Sequence, residues 1–307
     1  MSGAALAPAV GRFAPSPTGP LHFGSLVAAL ASRCDAHAAG GRWLVRIEDV
    51  DEPRSVPGAE RGILDTLARY GFAADGPVVR QSDRGARYAD ALAALDARGL
   101  VYPCACTRRE LDTAPLAPTG ERVYPGTCRL GIPAECASRA QRSVRVRVDD
   151  EVVGFVDRLQ GPQRQDLATD VGDFVVRRAD GLAAYQLAVV VDDAEQRVTH
   201  VVRGADLLAS TPRQIHLQLA LGFPTPSYLH VPIAINASGE KLSKQTLARA
   251  LPADPLPSLV AAWRFLGQPD VEPATLAEFW AHALSSWSPA RLPPATMAPA
   301  PRMALAV

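Results

Sequence analysis

The sequence predicts an α/β fold built around a parallel sheet. Short apolar runs with the character of strands alternate with helical runs over residues 9 to 100, and a second α/β portion begins at residue 173. With 307 residues, 48% hydrophobic and 21% charged, the chain has the composition of a globular protein with a substantial core. One large domain and two smaller ones are both compatible with this length.

The first α/β portion alternates three strands with three helices. Apolar runs predict the strands, and longer runs of helical character predict the helices. In chain order they are the strand "AVGRFA", the helix "GSLVAALASRCDAHAAG" ending at Gly40 and Gly41, the strand "RWLVRIEDVD", the helix "GAERGILDTLARYGF", the strand "VVRQSD" and the helix "RYADALAALDARGL".

A stretch rich in cysteine, proline and charge then interrupts the alternation, as an inserted small module would. Beyond it, "SVRVRVDDEVVGFVDRLQG" alternates with period two and predicts antiparallel strands. The second α/β portion follows, with "DFVVRRADGLAAYQLAVVVDD", "RVTHVVRGADLL", the helix "TPRQIHLQLALGF", and a strand running into a loop, "LHVPIAINASGEKLSKQ".

These shifts in composition divide the chain into five segments. The last segment is rich in proline and alanine, which predicts a disordered tail. The segments are 8–100, the first half of the α/β domain; 101–142, the cysteine-containing insertion; 143–250, the rest of that subdomain and the second α/β half; 251–287, a helical part; and 288–307, the tail.

Charge and cysteine content limit the possible functions. Lys plus Arg equals Asp plus Glu at 32 each, so net charge predicts no general affinity for polyanions. The sequence contains no run of about 18 apolar residues and no secretory signal pattern, which argues against a membrane protein. Five cysteines, four of them between Cys104 and Cys136, indicate a metal site or free thiols in a reducing cytoplasm. A cytoplasmic monomer is the default expectation.

The stretch "APSPTGPLHFGS" joins the first strand to the first helix. Its prolines restrict φ, Gly19 lets the backbone turn, and Gly24 leaves the start of the helix open. A helix N-terminus beside His22 could receive an anion, with His22 and Thr18 donating hydrogen bonds to a triphosphate. Taken alone, the stretch fits a proline-stiffened loop with an exposed histidine equally well. It contains no Walker A pattern.

The second loop of interest is "KLSKQ", preceded by the flexible "NASGE". Lys241 and Lys244 could close over phosphates and neutralise their charge during nucleotidyl transfer. An isolated pair of lysines at this spacing is more commonly a solvated charged loop.

Two charged residues end neighbouring strands of the predicted sheet. Arg12 ends the first strand and Glu48 the second, at the carboxyl edge where open α/β sheets bind ligands. A cation and a carboxylate there suit an amino acid, which carries both charges. The alternative is a structural ion pair between Arg12 and Glu48.

The insertion contains Cys104-x-Cys106, with Cys128 further along. Three thiolates fit a tetrahedral Zn²⁺ site that needs one more ligand, and Tyr124 and Cys136 are the candidates. Reduced free thiols are the alternative. Cys34, inside a helical pattern, is predicted to be a core residue.

Together and in this order, the two loops resemble the HIGH and KMSKS motifs of class I aminoacyl-tRNA synthetases. The stretches "RFAPSPTGPLHFGS", "VRIEDVDEPRS", "AYQLAVVVDD" and "THVVRGADLL" resemble the catalytic domain of the glutamyl-tRNA synthetases, over about Gly11 to Leu247. The resemblance implies a Rossmann-like class I catalytic domain with an inserted zinc-binding subdomain and a short helical C-terminal part. Three motif positions depart from the pattern: Phe23 and Ser25 stand at the isoleucine and the second histidine of HIGH, and Gln245 stands at the last serine of KMSKS.

The resemblance also assigns residues to roles. It implies catalytic roles for His22, Lys241 and Lys244. It implies one structural Zn²⁺ bound in the pattern Cys-x-Cys…Tyr-x-x-x-Cys, and Mg²⁺ bound with ATP. The glutamate-binding residues would be Arg12, Phe13, Ala14, Pro15, Ser16, Glu48, Tyr185 and Arg203; the ATP-binding residues Thr18, His22, Gly24 and Lys244; and the zinc ligands Cys104, Cys106, Tyr124 and Cys128.

Only residues 246 to 307 follow Gln245, which is too few for a large anticodon-binding region. The architecture, cysteine pattern and length resemble those of the glutamyl-Q tRNA(Asp) synthetases. That resemblance implies formation of glutamyl-adenylate from L-glutamate and ATP without tRNA. The glutamate would then pass to queuosine at the wobble position of the tRNA(Asp) anticodon. Two alternatives stay open: a paralogue that aminoacylates another small acceptor, and a non-catalytic RNA-binding relative.

Overall fold

A seven-stranded, mostly parallel sheet organises the chain. The computed structural model describes residues 8–50, 55–117, 120–150, 152–236, 238–242 and 249–302. The strands are β1 Val10–Phe13, β2 Arg42–Ile47, β3 Val79–Arg80, β4 Val101–Cys104, β5 Ser143–Val146, β6 Val152–Asp157, β7 Gly161–Asp166, β8 Val175–Arg177, β9 His200–Gly204, β10 Ser227–Val231, β11 Ile233–Ile235 and β12 Met297–Pro299. The helices are α1 Phe23–Ala38, α2 Ala59–Arg69, α3 Gly85–Ala97, α4 Arg108–Leu111, α5 Leu167–Asp170, α6 Tyr185–Glu195, α7 Thr211–Leu221, α8 Leu256–Phe265 and α9 Leu276–Ser286. None of the helices in the described ranges is long and apolar enough to cross a bilayer.

The order of strands in the main sheet is β3-β2-β1-β9-β10-β6-β7. All neighbours pair in parallel except β6 and β7, which form an antiparallel hairpin at one edge. The strands β1, β2, β9 and β10 are therefore side by side, although 186 residues separate the end of β1 from the start of β9 in the sequence numbering. Their carboxyl ends meet at one edge of the sheet, where α/β proteins bind ligands.

Two hydrophobic cores cover the two faces of this sheet. One contains residues of α1, α2, α8 and α9, including Trp43 and Trp263, both fully buried. The other contains residues of α3, α6 and α7, including Leu95 and Leu187. The predicted α/β class is thus confirmed, with helices on both faces of the sheet.

The predicted antiparallel strands between residues 143 and 161 divide between two sheets. β5 pairs antiparallel with β4 and β8 in a separate three-stranded sheet. β6 instead pairs with β7 and, in parallel, with β10 of the main sheet. The segment that follows the cysteine-containing insertion therefore contributes one hairpin, β6–β7, to the edge of the main sheet.

The prediction of a disordered tail is wrong for residues 288 to 302. β12 pairs in parallel with β11, and Leu292 is buried in the larger core. The side chain of Gln160 donates a hydrogen bond to the carbonyl of Ala295 at 3.1 Å. Composition suggested disorder, but partners distant in sequence satisfy this backbone and hold it in place. Residues 303 to 307 lie outside the described part of the chain.

Candidate active site

The first candidate subsite is a cleft at the N-terminus of α1, which we call the His22 cleft. His22 is the N-cap of this helix, with extended backbone at φ −123° and ψ 177°, and its Nδ1 accepts a 3.4 Å hydrogen bond from the backbone N–H of Ser25. The cleft has a volume of about 400 Å³. Its lining includes eight of the predicted site residues: Phe13, Ala14, Pro15, Ser16, Thr18, His22, Gly24 and Lys241.

Glycines shape the loop that carries His22. Gly19 has a φ of 139°, a conformation that side-chain-bearing residues rarely adopt. A Cβ on Gly24 would lie 3.2 Å from Cε1 and 3.3 Å from Nδ1 of His22. The missing side chain at residue 24 therefore leaves room for the imidazole in its present position.

The second predicted motif closes one side of this cleft. The turn from Asn236 to Glu240 leads to Lys241, whose ammonium pairs with the carboxylate of Asp206. Because its side chain is 44% exposed, Lys241 can exchange this partner for a bound anion. Lys244, the other predicted catalytic lysine, and Gln245 lie outside the described residues.

Next to the cleft, five charged side chains form a buried cluster that we call the Arg46 network: Arg12, Arg46, Glu48, Asp192 and Asp193. Arg46 is fully buried and donates to Asp193 at 2.7 Å and to Glu48 at 3.2 Å, while its Nε lies 3.6 Å from Asp192. Arg12 donates to Asp193 at 3.3 and 3.4 Å. Opposite charges thus compensate one another out of water, which a buried charge requires.

The network fixes the protonation of its members to different degrees. Burial alone lowers the pKa of Arg46, but the three carboxylates around it raise that pKa above its usual value. Burial raises the pKa of Asp193, but the charges of Arg12 and Arg46 outweigh it and hold that pKa below its usual value. At Glu48 the effect of burial exceeds that of Arg46 and Arg12, and the pKa of Glu48 is raised. The protein therefore compensates the charge of Glu48 less fully than that of Asp193, and a ligand cation would supply what Glu48 lacks.

The charged residues predicted to bind the amino acid lie near one another, and the structural ion pair that was the alternative is not formed. Arg12 pairs with Asp193 and Glu48 with Arg46, so no direct Arg12–Glu48 pair occurs. Burial raises the pKa of Tyr185, and charges on Arg203, Glu48 and Arg12 also act on it. Although it lies among these groups, Tyr185 still has 37% of its surface exposed. Arg12 of β1, Glu48 directly after β2, and Arg203 of β9 therefore lie close enough to Tyr185, at the start of α6, for their charges to affect it.

Phe13 differs from its neighbours in the first motif. Its ring is buried and stacks on Trp43, with centroids 6.4 Å apart and planes 13° from parallel. Phe13 therefore offers a ligand only its backbone, whereas Ser16 is exposed.

Arg203 is a buried cation of this group, and one of its nitrogens has no hydrogen-bond acceptor among the described residues. It is 5% exposed, and its Nε donates to His230 Nε2 at 3.0 Å while Nη2 donates to Thr211 at 2.9 Å. Among the described residues, no acceptor lies within reach of its Nη1. An unsatisfied buried N–H pair on a guanidinium is costly, and a carboxylate is its natural partner.

The cysteine cluster lies apart from this edge, in a small core with Tyr102. The sulfurs of Cys104, Cys106 and Cys128 lie within 4.8 Å of one another, and Cys106 and Cys128 are 3.7 Å apart. Tyr124 Oη lies 3.5 Å from the Cys104 sulfur and 3.9 Å from that of Cys106. Four such donors around tetrahedral zinc would be about 3.8 Å apart for two sulfurs and about 3.5 Å for sulfur and oxygen. The cluster can therefore bind a metal such as zinc.

Cys136, the alternative fourth ligand, is buried but does not belong to this group of three sulfurs. Burial raises the pKa of Cys104, but hydrogen bonds from Tyr124 and Arg145 outweigh it and lower that pKa to about 7. Burial and the neighbouring Cys104 raise the pKa of Cys106 to about 12. Ionising both thiols together thus requires an added cation.

Sequence analysis missed five residues that hold the site together: Arg46, Asp192, Asp193, His230 and Asp157. Two of them carried a signal in the sequence. Arg46 alternates with Glu48 at the period of a strand, and Asp192 follows Tyr185 by seven residues, on the same face of one helix. The contact of Asp157 with His230 joins residues 73 positions apart, and no local pattern reveals it.

Comparison with known proteins identifies the family of the chain. The family model described as "tRNA synthetases class I (E and Q), catalytic domain" matches residues 9–258. The glutamyl-Q tRNA(Asp) synthetase of Aromatoleum aromaticum is 57% identical over 298 residues, which cover 96% of this chain and 93% of that protein. The same-named protein of Burkholderia mallei is 59% identical over 287 residues, covering 90% and 95%.

Solved structures of glutamate tRNA ligases share the fold of this chain at lower sequence identity. A glutamate tRNA ligase from Elizabethkingia meningosepticum, in complex with its amino acid, superposes with a TM-score of 0.78 at 26% identity. That match covers 94% of this chain and 66% of the ligase, so this chain spans about two thirds of the length of that structure.

Proposed function

The chain belongs to the class I tRNA synthetases for glutamate and glutamine by its catalytic domain, and from this we propose that it activates L-glutamate with ATP and transfers it to queuosine of tRNA(Asp). The observation that carries the proposal is the pairing of two subsites at one sheet edge. The His22 cleft suits a triphosphate, and beside it Glu48 and Arg203 each have a buried charge that a ligand can compensate.

The amino-acid subsite fits glutamate by its charges. Glu48 receives the ammonium group, and the free Nη1 of Arg203 receives the carboxylate that does not react. Glutamine has a neutral amide in place of that carboxylate and leaves Arg203 with its charge uncompensated. Discrimination between the two therefore rests on a buried, charge-assisted contact.

In the first step, an oxygen of the α-carboxylate of glutamate attacks the α-phosphorus of ATP, and the bond to the bridging oxygen of pyrophosphate breaks. Negative charge builds on the phosphate oxygens. We assign its stabilisation to His22, the N–H groups at the start of α1 and Lys241, which line or border the His22 cleft, and to Lys244. ATP is expected to bind as its Mg²⁺ complex, the usual form for this chemistry.

In the second step, a hydroxyl of the cyclopentene ring of queuosine attacks the carbonyl carbon of glutamyl-adenylate. The bond to the phosphate oxygen breaks, AMP leaves, and the hydroxyl proton passes to the departing phosphate or to water. The tRNA(Asp) identity of the acceptor is supported by the names of relatives that match over at least 90% of both chains. ATP and tRNA as substrates make the cytoplasm the compartment that we propose.

The first test is glutamate-dependent exchange of pyrophosphate into ATP without tRNA. We expect exchange with glutamate and none with glutamine or aspartate. No exchange with any amino acid, together with unchanged nucleotide binding in the Lys244→Ala variant, would favour the RNA-binding alternative.

The second test identifies the acceptor. We expect labelled glutamate to be transferred to tRNA(Asp) containing queuosine, including a form that lacks the 3′-terminal adenosine, and not to tRNA(Asp) with guanosine at the wobble position. Transfer to small amines or thiols, and not to the queuosine form, would favour the small-acceptor alternative.

We further propose that Cys104, Cys106, Cys128 and Tyr124 bind one structural Zn²⁺. The donor spacing supports this ligand set, and the bound metal would hold together the small core that contains Tyr102. We expect one zinc per chain by metal analysis, and a lower melting temperature after chelation. The Cys34→Ala variant, whose thiol lies in the sheet core, should keep its metal. Loss of activity on chelation with an unchanged melting temperature would contradict a structural role.

A further inference from the structure

We propose that His230 and Asp157 are positioning residues that hold the guanidinium of Arg203 in the orientation in which it receives the carboxylate of the amino acid. The inference rests on the proposed function, because it assigns a partner to Arg203 in that same subsite. It adds a contribution of the β6–β7 hairpin, at the edge of the main sheet, to recognition of the amino acid, since Asp157 is the last residue of β6.

The contacts form a continuous chain from the hairpin to Arg203. Asp157 Oδ2 lies 2.6 Å from His230 Nδ1, and the side chains of both residues are completely buried. On the other side of the ring, Nε2 lies 3.0 Å from Arg203 Nε. Arg203 and His230 are direct neighbours on the paired strands β9 and β10, so the contact follows from the register of the sheet.

This arrangement requires one tautomer of the imidazole. The Nε of Arg203 can only donate, so His230 Nε2 must accept, and the ring proton must be on Nδ1, where it donates to Asp157. A ring protonated on both nitrogens would direct an N–H at the Arg203 N–H.

The charges around His230 favour the neutral ring. Burial lowers the pKa of His230, and Arg203 on β9 and Arg12 on β1 act in the same direction, against Asp157 on β6. Of the other contacts on the ring, Thr211 lies 3.3 Å from Nε2 and Tyr228 stacks at a centroid distance of 6.1 Å. Neither of these two carries a charge.

Backbone N–H groups of the β6–β7 hairpin turn hold the carboxylate of Asp157 in position. The N–H groups of Leu159 and Gln160 donate to its Oδ1 at 3.0 and 2.8 Å, and the N–H of His230 donates to Oδ2 at 3.1 Å. Burial raises the pKa of Asp157, but these hydrogen bonds and that of the His230 ring outweigh it and lower the pKa. The carboxylate is thus charged and immobile, as a group that selects a tautomer must be.

The result is a guanidinium with one free edge. Its Nε is held by His230 and its Nη2 by Thr211, while Nη1 has no acceptor among the described residues. Fixing the plane before the substrate arrives lowers the ordering cost of forming a hydrogen bond to a carboxylate.

Two substitutions of His230 separate its two contacts. An asparagine amide reaches the position of Nδ1 and keeps the bond to Asp157, but it cannot reach Arg203. A glutamine amide reaches the position of Nε2, and its oxygen can accept from Arg203. In the exchange assay, we expect His230→Asn to raise KM for glutamate about tenfold, equivalent to one hydrogen bond to a charged group, and His230→Gln to raise it about threefold or less. KM for ATP and the rate at saturating glutamate should change less than twofold in both variants.

Asp157→Asn tests the tautomer without a change in volume. The two backbone N–H groups at Oδ1 keep the amide oxygen on their side, and the backbone N–H of His230, 3.3 Å from Oδ1, can donate to the same oxygen. The amide nitrogen then faces the ring and donates to Nδ1. We expect ¹⁵N NMR of labelled histidine to show the ring proton of His230 on Nδ1 in the wild type and on Nε2 in this variant. KM for glutamate should rise together with this change.

The control is Arg158→Gln, in the same hairpin turn. Arg158 pairs with Asp35 of α1 through two hydrogen bonds of 2.7 and 2.8 Å and does not contact His230. We expect a lower melting temperature with unchanged KM for glutamate. Equal increases of KM for glutamate and ATP in both His230 variants, or unchanged values in both, would overturn the proposal. An absence of exchange in the wild type would refute the proposed function, and with it this inference.

Discussion

The Arg46 network and the His22 cleft share the carboxyl edge of one sheet, and they differ in how much of their charge is buried. In the network, Arg46 and Asp192 are fully buried, and each charge has at least one partner of opposite sign within 3.6 Å. In the cleft, Lys241 is 44% exposed and pairs with Asp206, which is itself 29% exposed. The proposed amino-acid subsite thus consists mainly of buried charges with protein partners, whereas the proposed triphosphate subsite still exchanges contacts with water.

This difference fits the two ligands. An amino acid is small and must be distinguished from close analogues, which requires rigid, desolvated partners. A triphosphate carries charge that redistributes during the reaction, and cations on a loop can follow it. Changes in the network should therefore affect stability and KM for glutamate, and changes in the cleft should affect the rate.

The largest expected effect is at Arg46. The Arg46→Met variant leaves Glu48, Asp192 and Asp193 without their shared cation, and removal of one partner from a buried ion cluster costs about 3–5 kcal/mol. We expect the free energy of unfolding, measured by urea denaturation, to fall by about that amount. The Arg61→Gln control removes an exposed i,i+4 pair with Asp65 and should cost less than about 1 kcal/mol. Equal effects of the two variants would show that burial does not set the strength of the network.

The next effect concerns the cleft. We expect Lys241→Ala to lower the rate of ATP–pyrophosphate exchange about a hundredfold, because a cation that stabilises the phosphate charge is lost. KM for glutamate and the free energy of unfolding should stay near their wild-type values, since Lys241 is outside the network. Lys241→Arg tests whether charge alone suffices, and we expect partial recovery because the two cations differ in shape.

The small number of lysines in the chain allows a second test of whether Lys241 and Lys244 contact ATP. Lys241 and Lys244 are the two lysines of the whole chain, whose other basic residues are arginine and histidine. An amine-reactive reagent therefore labels this loop and the N-terminus, and bound ATP should slow the labelling of the loop. Labelling at the same rate with and without ATP would contradict contact between these lysines and the nucleotide.

Glu48 is expected to affect both the free energy of unfolding and the KM for glutamate. Because burial raises its pKa in the folded protein, the ionised carboxylate destabilises the fold above that pKa, and the cost disappears below the unfolded value. We expect Glu48→Gln, which keeps an oxygen for Arg46, to be at least as stable as the wild type while KM for glutamate rises about thirtyfold. In the wild type, KM for glutamate should rise as pH falls through the raised pKa of Glu48. A pH-independent KM would contradict an ionised Glu48 as the ammonium partner.

The sequence predicted those parts of the molecule that short segments determine. The strand–helix alternation, the proline-rich loop at His22 and the spacing of Cys104 and Cys106 are local patterns, and the structure contains each of them. What it did not predict depends on contacts between distant segments. Asp157 meets His230 only because β6 joins the sheet beside β10, and β12 forms only because β11 offers it an edge. The composition of the last residues is that of a disordered segment, and tertiary pairing overrides it.

The smallest predicted effect separates the position of His22 from its chemistry. Gly24→Ala places a methyl group 3.2 Å from the imidazole, so the ring must shift by a few tenths of an ångström while every functional group is retained. We expect exchange to slow about tenfold with unchanged KM for glutamate, because transition-state contacts are sensitive to small displacements. The matched control is Gly62→Ala in α2, where the added methyl meets nothing within 4 Å and should stabilise the helix by about 0.5–1 kcal/mol without slowing exchange. A Gly24→Ala variant as active as this control would mean that the cleft tolerates a shifted His22, and the contrast with the rigid Arg46 network would then include His22 itself.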